Sequence, residues 1–164
     1  MPASAAKLAE IKKEIEFLAA SALSAEELMK SVVKTLNQRM LKYNWVGFYM
    51  IEKGKAGSPD MLALGPFVGA MTPHTRIPLN QGLCGAAASS GQTVVVDDVT
   101  SDSRYLACST ETKSEIVVPV FVRGKVVGEL DIDSHFLAAF TPTDRELVEH
   151  CARIVGQRLE TLPS

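Results

Sequence analysis

Three acidic side chains alternate along one apolar segment, GELDIDS, in the second half of the chain. In an extended strand alternate residues share a face, so Glu129, Asp131 and Asp133 are expected to point one way and the apolar residues between them the other. Carboxylates usually face water, which makes a solvated outer face the simplest interpretation. However, the neighbouring segment is the most apolar of the chain, and this predicts a central strand that is covered on both faces.

A buried row of carboxylates has clear chemical uses. Mutual repulsion raises the pKa of at least one of them unless a cation lies among them. The Asp131–Asp133 pair therefore suits a metal ion, a cationic group of a ligand, or a protonated carboxyl that acts as a general acid. Glu115 lies at the entrance of the adjacent predicted strand. It is expected either to join the same pocket or to act as a strand-edge charge that discourages aggregation.

The three cysteines have different surroundings. Cys84 lies between two glycines at the start of a short predicted helix, where a thiol gains thiolate character. Cys108 lies in a long polar loop near Arg104 and Lys113 in sequence, which makes it a better nucleophile candidate than a buried thiol. For both of them inert thiols remain the alternative. Cys151 falls on the apolar stripe of the last helix and is assigned to the core. No zinc-like spacing of Cys and His occurs, so no structural metal is expected.

Two aromatic residues and one histidine complete the candidate set. Trp45 and Tyr49 are four positions apart in a predicted strand, so they share a face and are expected to wall an apolar pocket or to belong to the core. His74 precedes a short extended segment. A histidine beside a reactive thiol lowers the pKa of that thiol.

Composition limits the class of protein. The 164 residues suit one domain with a sizeable core. A net charge of -2 and a pI near 5.9 argue against a general nucleic-acid binder. Charged residues interrupt the apolar positions near the N-terminus, so we expect neither a signal peptide nor a membrane span. A cytoplasmic location with reduced thiols is therefore expected.

The elements that must position these residues follow from periodicity and turn chemistry. The sequence predicts two N-terminal helices, a series of strands with one short helix among them, a long loop over 97–114 and a C-terminal helix. The predicted helices are 4–20, 24–41, 82–90 and 141–164, and the predicted strands are 45–52, 61–68, 75–78, 93–96, 116–123 and 125–134.

Adjacent strands joined by hairpins indicate an antiparallel sheet rather than a parallel one. We therefore predict an α+β fold in which the N- and C-terminal helices pack on one face of an antiparallel sheet. The chain is interpreted as a single domain over 1–164. Its parts are a helical segment 1–42, a sheet with the ligand pocket 43–140 and a C-terminal helix 141–164.

The pattern of residues from about 43 to 140 resembles the free methionine-(R)-sulfoxide reductase family, whose members are single GAF domains. The resemblance rests on short motifs, of which the first, second and last are the most specific. They are NWVGFY at 44–49, LGPF at 64–67, RIP at 76–78, GLCG at 82–85, LAC at 106–108, SEIVVP at 114–119 and LDIDS at 130–134.

The resemblance implies a thiol-based reduction of free L-methionine-(R)-S-oxide to methionine. It implies that Cys108 attacks the sulfoxide sulfur, that a sulfenic acid forms, and that Cys84 then closes a disulfide which thioredoxin reduces. The family's carboxylates match Glu115, Asp131 and Asp133, which bind the amino group and assist protonation of the oxygen. Its aromatic residues match Trp45 and Tyr49, which enclose the S-methyl end. No cofactor and no metal are implied.

One position departs from the family pattern. The family commonly has a cysteine two residues before the RIP motif, and this chain has His74 there. Resolution of the sulfenic acid then falls to Cys84 or to an external thiol. The substitution also keeps open the alternative of a GAF domain that binds or senses a small amine-bearing ligand without catalysis. GAF domains often pair through their terminal helices, so a homodimer is expected.

Overall fold

The computed structural model describes residues 3–107 and 109–163. Within them the chain forms four α-helices, six β-strands and one short 3₁₀ turn. The helices are α1 (Ala5–Ser21), α2 (Ala25–Arg39), α3 (Gly82–Ser90) and α4 (Pro142–Leu159); the strands are β1 (Trp45–Glu52), β2 (Met61–Val68), β3 (Arg76–Pro78), β4 (Val94–Val96), β5 (Ser114–Val122) and β6 (Lys125–Ser134); the turn is Val99–Ser101.

All six strands form one antiparallel sheet in the order β3-β2-β1-β6-β5-β4. The long hairpin of β5 and β6 turns at Arg123 and Gly124, both with positive φ, which suits the right-handed twist of the strands. The predicted α+β fold is therefore confirmed, and β6 is a central strand because β1 and β5 pair with its two edges.

One side of the sheet, here called the helix face, is covered by α2 and α4, and α1 packs on those two helices. Its core is almost wholly apolar and includes the β6 residues Leu130 and Ile132 with Cys151 of α4, all fully buried. The assignment of Cys151 to the core is confirmed. Burial raises the pKa of its thiol to about 12.

Capping residues set the helix boundaries. At α4 the Thr141 hydroxyl and the Asp144 carboxylate form the reciprocal bonds of a capping box. At α2 the Ser24 hydroxyl accepts a hydrogen bond from the amide of Glu27, and the Glu27 carboxylate accepts one from the amide of Leu23 at 2.9 Å. Helix α4 ends at Leu159, so its predicted extension to residue 164 is wrong. A proline at 163 disfavours helical backbone before it.

The other side of the sheet, here called the carboxylate face, is covered by α3 and the connections around it. Small residues allow α3 to approach closely: a β-carbon on Gly85 would meet the carbonyl oxygen of Leu79 at 2.8 Å. Gly91 ends the helix in the left-handed conformation (φ 68°), which glycine adopts without steric cost. No helix in the described ranges is long and apolar enough to cross a membrane.

Candidate functional site

A row of carboxyl groups is buried on the carboxylate face of the two central strands. Glu129, Asp131 and Asp133 alternate with the apolar residues of β6 and lie opposite Tyr49, Gly47 and Trp45 of β1. All three carboxyl-bearing residues are at most 5 % exposed. The solvated-face alternative is therefore wrong, because β6 is central and α3 excludes water from this side.

Glu115 joins the same cluster from β5. It pairs in register with Asp133 and is 5 % exposed, which excludes the strand-edge interpretation. Its carboxyl lies within 4.8 Å of donor atoms of both Cys84 and Asp131. The sheet therefore brings Glu115 next to Asp131 and Asp133, which lie 16 and 18 positions further along the chain.

Burial raises the pKa of every carboxyl in this cluster. For Glu115 and Asp133 the pKa lies well above its ordinary value, because of desolvation first and then the neighbouring charge of Asp131. The pKa of Glu129 is raised well above its ordinary value for the same two reasons. For Asp131 burial also raises the pKa, but hydrogen bonds with Glu115 and Cys84 oppose the rise. Burial and mutual repulsion therefore favour the neutral form of these carboxyls, and a cation among them would favour the charged form.

Cys84 lies on α3 with its thiol directed into the cluster. Its Sγ donates to Oδ2 of Asp131 at 3.4 Å. The prediction that this cysteine has thiolate character is wrong for this arrangement. Complete burial and the nearby charges of Asp131, Glu129 and Glu115 raise the pKa of the thiol well above its ordinary value. They outweigh the effect of the helix N-terminus.

The aromatic residues form one wall of the site. Trp45 stacks on Tyr49 with ring centroids 6.2 Å apart and on Phe67 at 5.6 Å. Their polar atoms fix the connection between β2 and β3, because Trp45 Nε1 donates to the carbonyl of Ala70 and the Tyr49 hydroxyl donates to the carbonyl of His74. The predicted shared face is confirmed. Gly47 between them leaves room for the indole, since a β-carbon there would collide with it.

His74 joins that connection to the loop that covers the site. Its Nε2 lies 3.0 Å from the carbonyl oxygen of Ala107. Cys108 follows directly and lies outside the described residues, so its predicted role as nucleophile stays a prediction. Leu106 packs against the same apolar cluster as Tyr49 and Cys84, which brings the described part of the loop to the site.

Arg104, one of the two basic residues near Cys108 in sequence, is paired with a carboxylate. The guanidinium of Arg104 donates two hydrogen bonds to the Asp102 carboxylate, at 2.9 and 2.6 Å. These bonds lower the pKa of Asp102 to about 2 and raise that of Arg104. The charge of Arg104 is thus shared with a carboxylate on the same loop.

Two small cavities adjoin the carboxyl cluster. One of about 20 Å³ is lined by Cys84, Glu115 and Asp131, with Leu106 and Tyr49 at its sides. That volume holds about one water molecule. The other, of about 100 Å³, is lined by Asp133 and Trp45 together with parts of the connections 70–72 and 109–112. Both cavities are smaller than the pockets of about 300–1,000 Å³ that usually hold small ligands.

A metal ion is the other cationic species this cluster could hold. Among the described residues, Cys84, Glu115 and Asp131 offer one sulfur and two carboxylate donors within 4.8 Å of one another. The absence of zinc-like Cys and His spacing in the sequence argued against a structural metal, whereas these donors come from a helix and two strands.

Sequence reasoning left two residues out of the candidate site. Glu129 was placed on the correct face by strand alternation but was not assigned a role, although it is fully buried beside Asp131. Thr112, 7 % exposed, hydrogen-bonds to the carboxylate of Asp133. No local motif marks Thr112, since only the path of the loop brings it to the sheet.

Comparisons with known proteins agree with this geometry. The GAF domain family matches residues 24–159. The free methionine-R-sulfoxide reductase of Escherichia coli is 32 % identical over 152 residues, which covers 90 % of this chain and 88 % of that protein. The enzyme of the same name from Saccharomyces cerevisiae is 39 % identical over 115 residues, covering 70 % and 62 %.

A solved structure gives a similar result. Free methionine-R-sulfoxide reductase from Neisseria meningitidis in complex with its substrate superposes with a TM-score of 0.86 at 36 % identity, covering 98 % of this chain and 93 % of that one. The match covers nearly the whole chain and therefore includes the sheet and its helices. By fold, sequence and extent of match, the chain belongs to the free methionine-R-sulfoxide reductase family of GAF-domain proteins.

Proposed function

We propose that this protein reduces free L-methionine-(R)-S-oxide to methionine by a thiol mechanism. The observation that carries the proposal is the buried carboxyl cluster beside the Cys84 thiol. Within the described residues, Oδ1 of Asp131, Oδ1 of Asp133 and both carboxyl oxygens of Glu129 have no hydrogen-bond partner. Buried acceptors of this kind are costly unless a ligand satisfies them.

The substrate's α-ammonium group is the proposed partner of Glu115, Asp131 and Asp133. An ammonium carries three N–H donors and a positive charge, which lowers the pKa of the carboxyls around it. In protein sites, hydrogen bonds between charged groups are about twice as strong as neutral ones. Binding of the free amino acid thus supplies the charge that the folded protein lacks, and a methionine within a peptide has no such group.

The proposed chemical step uses one thiol and one proton. The Cys108 thiolate forms a bond to the sulfoxide sulfur while a carboxyl of the cluster gives its proton to the sulfoxide oxygen. The bond between the two sulfurs then breaks as the protonated oxygen passes from the substrate sulfur to the Cys108 sulfur. Cys108 is thereby oxidised to a sulfenic acid and the substrate sulfur is reduced to the thioether. Trp45 and Tyr49 are proposed to enclose the S-methyl end.

Recycling requires a second thiol. Cys84 is proposed to attack the sulfenic acid, releasing water and leaving a Cys84–Cys108 disulfide, which the dithiol of thioredoxin then reduces. His74 stands where the family commonly has a cysteine, so that route is absent here. The raised pKa of Cys84 in the closed site suggests that it reacts after the substrate or product has rearranged the cluster.

One coupled assay tests the proposal. NADPH oxidation is followed with thioredoxin, thioredoxin reductase and each epimer of free methionine sulfoxide. We expect turnover of the R epimer and not of the S epimer. Cys108→Ser should abolish turnover, while the matched variant Cys151→Ala, altered only in the core, should retain it. Absence of turnover with both epimers would sink the proposal.

A second candidate function is a GAF domain that binds a small amine-bearing ligand without catalysis. The observation in its favour is His74, which bonds to the loop at Ala107 rather than offering a thiol. Calorimetric titration with free methionine separates the two functions. Binding without turnover of either epimer would support the ligand-binding domain.

The proposal also includes the cellular location and the oligomeric state of the protein. A thioredoxin-recycled thiol enzyme is expected in the cytoplasm, where disulfides are reduced. We also propose a homodimer, since large apolar side chains are exposed on the helical side, including Phe17 and Leu23. Light scattering at two protein concentrations measures the oligomeric state.

A further inference from the structure

The cluster contains more acceptors than an α-ammonium group can use. An ammonium donates three hydrogen bonds, while four buried carboxyl groups converge on this space: Glu115, Glu129, Asp131 and Asp133. Glu129 is fully buried, and within the described chain neither of its carboxyl oxygens has a hydrogen-bond partner. The end of the cluster next to Cys84 therefore has acceptor capacity that the proposed substrate does not require.

The donor atoms at that end already have the dimensions of a metal site. The Cys84 sulfur and one oxygen each from Glu115 and Asp131 lie within 4.8 Å of one another. Zinc bonds to sulfur and carboxylate oxygen at about 2.0–2.3 Å, so the donors of one ion lie within about 4.6 Å of each other. Small side-chain movements suffice to bring the three groups onto one ion.

The adjoining space also matches an ion rather than an amino acid. The cavity lined by Cys84, Glu115 and Asp131 measures about 20 Å³, which is room for about one water molecule. Glu129 lies close enough to the thiol for its charge to raise the pKa of Cys84. Its carboxyl is not one of the three groups whose donor atoms lie within 4.8 Å of one another, so Glu129 stands beside the site.

The donor type selects among metals. Magnesium and calcium take all-oxygen sites, whereas a thiolate with carboxylates suits zinc, a borderline-soft ion that accepts four ligands. A metal-bound thiol loses its proton, so binding releases that proton to solvent. No electron transfer is involved.

We propose that Cys84, Glu115 and Asp131, with Glu129 beside them, form a zinc-binding site. If the proposed function holds, zinc occupies the recycling thiol and two of the carboxylates that bind the substrate's ammonium, so it competes with substrate and inhibits recycling. Only this consequence rests on the proposed function. The binding itself is a property of the cluster.

The test measures metal binding without substrate or thioredoxin. The full chain, kept reduced with a phosphine that carries no thiol, is titrated with Zn²⁺ against a chromophoric chelator. It is also titrated with Cd²⁺, whose thiolate charge-transfer band reports bonding to sulfur. We expect one ion per chain, a thiolate band, and no competition by Mg²⁺ or Ca²⁺ at millimolar concentration.

Variants assign the ligands. Cys84→Ala should remove the thiolate band and weaken zinc binding at least about 100-fold, since second-shell changes alone cost 10–100-fold. Glu129→Gln, which preserves shape, should weaken binding about 10-fold. Cys151→Ala, altered only in the core of the helix face, is the matched control and should keep both the band and the affinity.

Three results would overturn the zinc site: no stoichiometric binding to the wild type, a band that survives Cys84→Ala, or a band that is lost in Cys151→Ala. Circular dichroism of each variant establishes whether it is folded. If Cys84→Ala does not fold, the zinc affinity of Glu129→Gln provides a second test of the site. Turnover is assayed separately. A chain that binds zinc without turnover would refute only the proposed function, and one that turns over without binding zinc would refute only this site.

Discussion

The two faces of the sheet differ in whether their buried polar groups are hydrogen-bonded, although β6 contributes residues to both faces. On the helix face, Leu130 and Ile132 of β6 pack in an apolar core. There the buried Tyr43 hydroxyl donates to Oδ1 of Asp144 at 2.6 Å. On the carboxylate face, Asp131 and Asp133 have the same burial but leave oxygens without a partner in the described chain.

This difference separates stability from function. The helix face buries apolar surface and satisfies its few polar groups, so it supplies stability. Burial of the carboxyls on the carboxylate face costs desolvation free energy, and a bound cationic ligand offsets this cost. Substitutions of adjacent residues that point to opposite faces should therefore affect different measurements.

The largest expected effect is on activity. Asp131→Asn preserves shape but removes a charge that we propose binds the substrate's ammonium. Breaking a buried charged pair costs about 2–5 kcal/mol, which at 1.4 kcal/mol per factor of ten is a loss of roughly 30-fold to 4,000-fold in kcat/KM. The coupled assay measures it. An unchanged kcat/KM would remove Asp131 from the site.

Leu130, the residue next to Asp131, points to the helix face, so its substitution should affect stability and not activity. Leu130→Ala should lower the free energy of unfolding by about 2–5 kcal/mol, because it leaves a cavity in the core of the helix face. Urea denaturation followed by fluorescence measures the loss. The kcat/KM of the folded fraction should stay near that of the wild type, and a selective loss of kcat/KM would show that the two faces are coupled.

The buried hydrogen bond between Tyr43 and Asp144 allows a test of whether polar pairs on the helix face contribute to stability. Tyr43→Phe removes the donor to Asp144 and leaves a buried carboxylate oxygen with one partner fewer. We expect a loss of about 1–3 kcal/mol in stability. Thr141→Val, which removes the other hydroxyl bonded to this carboxylate, is a companion variant. If neither changes the urea midpoint, the pairing on this face carries no net stability.

The smallest expected effect is on the pH dependence of stability. Burial and the charge of Asp131 hold the pKa of Glu129 well above its ordinary value in the folded chain. Between the ordinary value of about 4.3 and the folded-state pKa, the unfolded chain binds fewer protons. Stability therefore falls as pH rises through this window.

Glu129→Gln removes that titration and should make the fall in stability between pH 5 and pH 8 less steep. Urea unfolding at a series of pH values measures the slope. Glu26→Gln on the exposed surface of α2 is the control for a substitution of the same chemistry. A slope that is unaltered by Glu129→Gln but altered by Glu26→Gln would contradict the assignment of the cost to the carboxylate face.

Much of the fold was predictable because its signals are local. The bounds predicted for β1, β2 and α3 match the structure, since β-branched runs, turn glycines and the Gly91 helix end act within a few residues. The end of α4 was placed too late, because the apolar stripe continues to Leu162 while the backbone leaves the helix at Leu159. Periodicity describes which face is buried and not where the hydrogen bonds stop.

The site was predictable only in part. Alternation along β6 placed its three carboxylates on one face, and the apolar neighbour indicated that the face is covered. The predicted thiolate character of Cys84 was wrong. The rule for a thiol at a helix N-terminus takes no account of Asp131, which lies 47 positions away in sequence. The pKa of a thiol depends on all charges within a few ångströms, whatever their distance along the chain.

The sequence by itself determined the elements, the α+β class and which side chains of each strand share a face, because these follow from the short-range geometry of the backbone. Tertiary structure alone decided that Cys84 and Glu115 meet Asp131, that Glu129 lacks a partner in the described chain, and that every carboxyl in the cluster is buried. Desolvation and Coulomb interactions depend on the packing of distant segments, so the protonation states of this site are properties of the fold.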